Sequence, residues 1–265
     1  MNMFSENDDA RQASIPGAAR RRGRPPGATP QSDETRRTLY RVATGLFAAQ
    51  GYEETTLREI ASEAGVSPGL LYRYFPSKRA VVLALYDELS REFEARTAQL
   101  PEGRWRDRFV FALQTSLDVL RPHRATLVAL VPVLVGRREE GLFAPATAFS
   151  RDRVQRAFVQ AVTGAADAPR GAAAEALGRA LDLAHLAILL FWLLDRSDAQ
   201  VATARMVAVI RRMLPSFAVA FRVRVVRAFV REVDTLARLA FYGTGADAAP
   251  SDEAAAAEEA SDHPA

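Results

Sequence analysis

The sequence predicts an all-α chain, and three observations predict it. Apolar residues recur at helical spacing from Leu39 to about residue 242. Capping residues, glycines and prolines cut that span into helix-length pieces. Near the N-terminus, two short helices meet at a glycine turn. The expected organisation is a basic arm (1–31), a small three-helix domain (32–80), a larger helical domain (81–242) and an acidic tail (243–265).

Residues 1–31 hold few apolar side chains and many Pro, Gly and Arg, so a disordered arm is expected. Within it, Arg20-Arg21-Arg22-Gly23-Arg24-Pro25-Pro26 is similar to an AT-hook. That likeness would lay Arg22 and Arg24 into a narrow minor groove, where negative potential concentrates. The other reading is a flexible basic arm without groove preference, whose charge supplies sequence-independent affinity.

A first helix is expected to be capped by Ser32 or Asp33, with Leu39, Val42, Ala43, Leu46 and Phe47 as its buried stripe and Gly51 as its end. Thr56 and Glu59 form the S/T-x-x-E capping box, so a second helix starts at Thr56. Leu57, Ile60, Ala61 and Ala64 share its apolar face, and Gly65 stops it. Ser67 caps the third helix, with Pro68 at its first position. Leu71 and Phe75 point back to the core, which leaves Gly69, Tyr72 and Arg73 outward. Pro76 ends this helix and Ser77 caps the next. The pattern is a helix-turn-helix, whose second helix enters the DNA major groove with its N-terminal residues, here Ser67, Pro68, Gly69 and Leu70. The free N–H groups at Ser77-Lys78 suit a phosphate.

The segment LFAAQGYEETTLREIASEAGVSPGLLYRYFPSKRAVVLAL resembles the DNA-binding domain of the TetR family of bacterial repressors, over about Thr35 to Leu89. The resemblance implies an all-α homodimer on a near-palindromic operator, released when a small molecule enters the C-terminal domain. It implies phosphate contacts for Tyr72, Tyr74 and Lys78, with Thr56 adding a backbone contact. Arg58 is the candidate for a bidentate guanine contact. Leu70 stands where the family often has threonine, so any reading there is apolar. Lys78 is the only lysine in the chain, a compact ammonium suited to a point contact with a phosphate.

The fourth helix is expected at about Ser77 to Ala98, with Val81, Val82, Leu85 and Leu89 on its apolar face. In the family this helix joins the two domains and transmits the signal. Further helices are expected at about 104–121, 123–135, 143–163, 172–196, 199–222 and 223–242. Pro132 and Pro215 are expected to kink or shorten theirs. The apolar run from Leu181 to Leu194 has 14 residues, short of the ~20 a membrane span needs, so a buried helix is expected and no membrane partner. By the resemblance, about 172–222 pairs with a second copy; the alternative is that these helices are domain core.

Residues 11–41 carry a net charge of +6 and residues 246–265 a net −6, against +3 for the whole chain. A basic arm and an acidic tail suggest a polyanionic partner with self-screening. With no cysteine, disulfides and thiolate metal sites are excluded. The start MNMFSENDDAR has no apolar core, so no signal peptide is expected and the location is cytoplasmic, at the nucleoid. No His-x-x-x-His pair, phosphate loop or nucleophile elbow is present, so neither an enzyme nor a cofactor or metal site is expected. His185 reads as an interior histidine or an effector contact; Trp105 and Trp192 read as core or as pocket lining.

The expected function is a ligand-responsive transcriptional repressor that binds DNA as a dimer and responds to a small hydrophobic effector. The alternatives are an activator or weakly specific DNA binder using the arm, and a repressor controlled by a protein partner.

Overall fold

A computed structural model describes residues 30–136 and 141–242. The arm with Arg22 and Arg24, the loop 137–140 and the acidic tail lie outside the described residues. Among the described residues all regular structure is helical: α1 (Pro30–Gln50), α2 (Leu57–Glu63), α3 (Pro68–Tyr74), α4 (Lys78–Thr97), α5 (Trp105–Leu120), α6 (Arg124–Gly136), α7 (Ala148–Thr163), α8 (Ala172–Leu194), α9 (Val201–Ala220) and α10 (Arg224–Tyr242).

The caps decide most boundaries. Thr56 Oγ1 accepts from the Glu59 amide while the Glu59 carboxylate accepts from the Thr56 amide at 2.7 Å, a complete capping box. Ser67 and Ser77 accept from Leu70 and Ala80 in the same way. Gly65 has φ +66°, a left-handed turn that a Cβ would strain, and so turns the chain from α2 into α3. Two boundaries depart from expectation. α1 begins at Pro30, ahead of Ser32 and Asp33, because proline is favoured at the first helical position. α7 begins at Ala148 rather than near 143, since Pro145–Thr147 forms a single 3-10 turn first.

Neither internal proline shortens its helix. α6 runs through Pro132 and α9 through Pro215. The carbonyl that each proline leaves unbonded belongs to Val128 or Arg211, both on exposed positions where water can take it.

One core joins the N-terminal helices to the next domain. Leu39, Phe47, Ile60, Leu71 and Phe75 pack with Val81, Leu85 and Leu89 of α4, and the cluster continues through Leu127 and Leu130 of α6 to Trp192 of α8. A second cluster around Phe93, Phe109, Leu113, Phe158 and Leu177 fills the distal half. α4 therefore contributes to both, with Phe93 in the second. α6 is tied to α1 directly, through the Thr126 hydroxyl donating to the Thr44 carbonyl at 3.1 Å.

α8 is the central helix of the distal half. At 23 residues it is long and apolar enough to cross a membrane by length and composition alone, although its Leu181–Leu194 run of 14 carries Asp182 and His185. Here it is a core helix, with Leu177, Asp182, His185, Ile188 and Trp192 buried. It crosses α7 so closely that a Cβ on Gly178 would meet Val159 Cα at 2.6 Å. Arg124 of α6 caps its C-terminus, donating to the Trp192, Leu193 and Asp195 carbonyls, the last at 2.7 Å. A cation there also opposes the negative end of the helix dipole. Arg179 of α8 holds α10 by a bidentate pair to Asp234, both bonds 2.9 Å.

Candidate nucleic-acid interface and a buried cavity

The helix-turn-helix is held from behind and open in front. Leu71 and Phe75 are 1 % and 2 % exposed, anchoring α3 on α1 and α2. Gly69, Arg73 and Arg58 are exposed, as are Thr56, Ser67 and Pro68, and Tyr72 is 51 % exposed. Leu70 is half-buried. Thr56, Arg58, Tyr72, Ser77 and Lys78 border one shallow open groove between the α1–α2 loop and the start of α4. Of the expected DNA-contact residues, Thr56, Arg58, Tyr72 and Lys78 line this groove together.

Two of them have internal partners instead of a free head group. The Lys78 ammonium donates to the Tyr52 carbonyl at 2.6 Å and the Glu53 carbonyl at 3.1 Å, and lies 4.5 Å from the centre of the Tyr52 ring. Two of its three donors are therefore spent on tying the α1–α2 loop to α4. The Tyr74 hydroxyl donates to Ser32 Oγ at 3.2 Å, linking α3 to the first turn of α1. Spacing alone could not show either bond, because both partners lie far away in the chain.

The distal half holds a partly open cavity of about 570 Å³ among α4, α5, α6, α7, α8, the Leu142–Phe143 turn and the end of α10. That lies within the ~300–1,000 Å³ usual for small-molecule sites. Its wall is mostly apolar, with Leu89, Leu127, Val131 and Leu189 among the lining residues. His185 and Trp192 line it. Trp105 does not: its ring meets Phe217 edge-on at 6.2 Å inside the second core cluster, and its backbone N–H donates to Asp167. Trp105 belongs to the core because it opens α5 at the end away from the cavity.

The cavity has polar lining that sequence reasoning missed. Ser116, Asp182, Ser150 and Arg151 all reach it. Ser116 Oγ lies 2.8 Å from His185 Nε2, and His185 Nδ1 lies 3.6 Å from Asp182 Oδ1. A lone pair on Nδ1 would face the carboxylate, so the stable tautomer carries the proton on Nδ1 and Nε2 accepts from Ser116. Asp182 and His185, three apart on an apolar helix, were a visible signal; Ser116, on another helix, was not. The trio has the order of groups found in nucleophilic hydrolases. It lacks an oxyanion site at Ser116, which sits inside α5 where helix bonding uses the amides.

All-helical among its described residues, the chain joins a capped, outward-facing helix-turn-helix to a second helical domain that holds an apolar cavity. Residues 39–85 match the family described as bacterial regulatory proteins, tetR family. Over these residues the chain is similar to the DNA-binding domain of that family. It is 37 % identical over 71 residues to the HTH-type transcriptional regulator HbdR of Aromatoleum sp. (strain CIB), a match covering 27 % of this chain and 31 % of that protein. It is 41 % identical over 70 residues to the HTH-type transcriptional repressor KstR2 of Rhodococcus jostii (strain RHA1), covering 26 % and 32 %. The chain thus spans about a third of the length of these curated relatives, which are named as regulators and not as enzymes. The fold is similar to the transcriptional regulator FadR of Bacillus subtilis solved in complex with stearoyl-CoA, with TM-score 0.51, 15 % identity, and coverage of 67 % of this chain and 96 % of that one.

Proposed function

We propose that this chain is a transcriptional repressor that binds a near-palindromic operator as a homodimer and is released by a small apolar effector. The observation that carries the DNA reading is the α3 surface: its apolar side is locked to the core while Gly69, Tyr72 and Arg73 face out beside an open groove. In this reading Gly69 lets the backbone approach the bases, and Leu70 offers an apolar contact to a thymine methyl. Arg58 reads a guanine, while Tyr72, Thr56 and the start of α4 take phosphates. Tyr74 and Lys78 act indirectly, by fixing α3 and the loop against α1 and α4. Residues 32–80 are the reader and 81–242 the sensor and dimerisation domain.

The dimer surface we assign overlaps the stretch 172–222 in α9 and extends beyond it to α10. One face of α8, nine of its 23 residues, is buried in its own subunit. Exposed apolar residues instead concentrate on α9 and α10, with Val209, Met213, Val225, Phe229, Leu236 and Leu239 each at least half exposed. A second copy covering this face is the reading that explains so large an apolar surface. For the effector, the cavity supplies the space, and the similar FadR fold is one that holds stearoyl-CoA. A ligand releases DNA only by binding the non-binding state more tightly.

The test is a gel shift of the full chain against the DNA upstream of its own gene, at moderate salt. Tyr72→Ala and Arg58→Ala are expected to lose specific binding by tenfold or more. Equal, weak retention of any DNA by wild type and both variants would transfer the activity to the basic arm and end this reading.

A further inference from the structure

The cavity wall is apolar except at one buried patch, and that patch is incomplete. Ser116, Asp182 and His185 are 6 %, 3 % and 2 % exposed. The 3.6 Å between His185 Nδ1 and Asp182 Oδ1 is too long for a hydrogen bond. Among the described residues, His185 Nδ1 has no hydrogen-bond partner, and the Asp182 carboxylate has no other polar contact. His185 Nδ1 is therefore a buried polar atom left unsatisfied beside the Asp182 carboxylate in a mostly apolar cavity, which is costly unless something else completes it.

The missing group must donate to a carboxylate and accept from an imidazole N–H. A hydroxyl does both; an ammonium only donates, an ether only accepts, and a carboxylate only accepts and is repelled by Asp182. The charge of the lining points the same way. Its other formal charge is the Arg151 guanidinium, which donates to the Leu142 carbonyl at 3.1 Å and lies 5.9 Å from the centre of the Phe143 ring. Arg151 and Asp182 carry opposite formal charges, so an uncharged ligand adds no net charge to the wall. We propose that the effector is a neutral, elongated, mainly apolar alcohol. Its hydroxyl bridges Asp182 and His185, and its hydrocarbon fills the space among Leu89, Leu127, Val131 and Leu189. The inference rests on the reading of this cavity as the effector site.

Calorimetric titration of the full chain, without DNA, tests it. The probes are dodecan-1-ol, its methyl ether, dodecylammonium and dodecanoate. Dodecan-1-ol is expected to bind about tenfold or more tighter than each of the others, the worth of one hydrogen bond to a charged group. Asp182→Leu is expected to erase that preference while leaving the ether within about twofold. If circular dichroism shows Asp182→Leu unfolded, His185→Phe takes its place, a ring for a ring beside Phe93 and Phe158. This variant removes the imidazole N–H and keeps Asp182, so alcohol and ether should both bind more weakly while the alcohol stays preferred; loss of the preference here would overturn the proposal. Equal binding of alcohol and ether overturns the proposal but leaves the cavity as an effector site. Tightest binding by dodecanoate overturns it and points to Arg151. Binding of none of the four removes the effector reading itself, and the proposal with it.

Discussion

Lys78 shows how a residue with an evident surface role can be recruited by its own fold. Its ammonium closes the α1–α2 loop onto α4 through two carbonyls and the Tyr52 ring. Lys78→Met keeps the stem and removes the charge-assisted bonds. It is expected to lower stability by about 1–3 kcal/mol, read as a shifted urea midpoint with unchanged slope. A melt indistinguishable from wild type would return Lys78 to a pure phosphate contact. Tyr72 has no such internal duty, so Tyr72→Ala is expected to leave the urea midpoint within ~0.5 kcal/mol while DNA binding falls. The position of Lys78 at the start of α4 was legible in the sequence. Its partners were not, because carbonyls 25 and 26 residues away carry no side-chain signature.

At the scale of elements, the helix junctions carry the stability that can be tested. Between α8 and α9, Asp195 accepts from the Ser197 amide and hydroxyl and from the Thr203 amide and hydroxyl, at 2.6 to 2.9 Å. These bonds, Thr203 first, hold its carboxyl well below the ordinary range. They also secure a turn in which Ala199 and Gln200 adopt left-handed φ of 50° and 54°. A depressed carboxyl stabilises the fold fully above its unfolded value near ~3.9, and that contribution is lost as pH falls through the lower folded value. The stability gap between wild type and Asp195→Asn is therefore expected to be constant near neutrality and to close in strong acid. A gap that widened on acidification would reverse the sign of this argument. Where α7 crosses α8, Gly178→Ala would place a Cβ 2.6 Å from Val159 Cα. That backbone contact has no flexible side chain to yield, so a loss of about 1–3 kcal/mol is expected in thermal or urea melts.

For the whole molecule, the continuous core is the feature that matters. α6 lines the cavity with Leu127 and Val131 and is bonded to α1 through Thr126. A ligand that moved α6 would therefore move the base of the reading domain, alongside the α4 connection that the sequence suggested. Breaking the dimer face is the matching test at this scale. Phe229→Glu places a charge on an α10 side chain that is 67 % exposed in the single subunit. It is expected to yield a folded monomer in sedimentation and at least a tenfold loss of operator affinity, because one half-site then binds alone. An unchanged dimer would move the interface off α10.

The sequence by itself determined the helices, most of their caps and the outward face of α3. Capping boxes, Pro at first helical positions and Gly stops are local chemistry: donor, acceptor and backbone freedom lie within four residues of each other, as at Thr56–Glu59 and Ser67–Pro68. Only the tertiary structure decided which polar groups meet across helices. Ser116 joins His185 from 69 residues away, Arg124 caps a helix 68 residues further on, and Trp105 turns from the cavity into the core. No periodicity encodes those pairings. They follow from how α5, α6 and α8 pack, which depends on the summed shape of every buried side chain rather than on any short stretch of the chain.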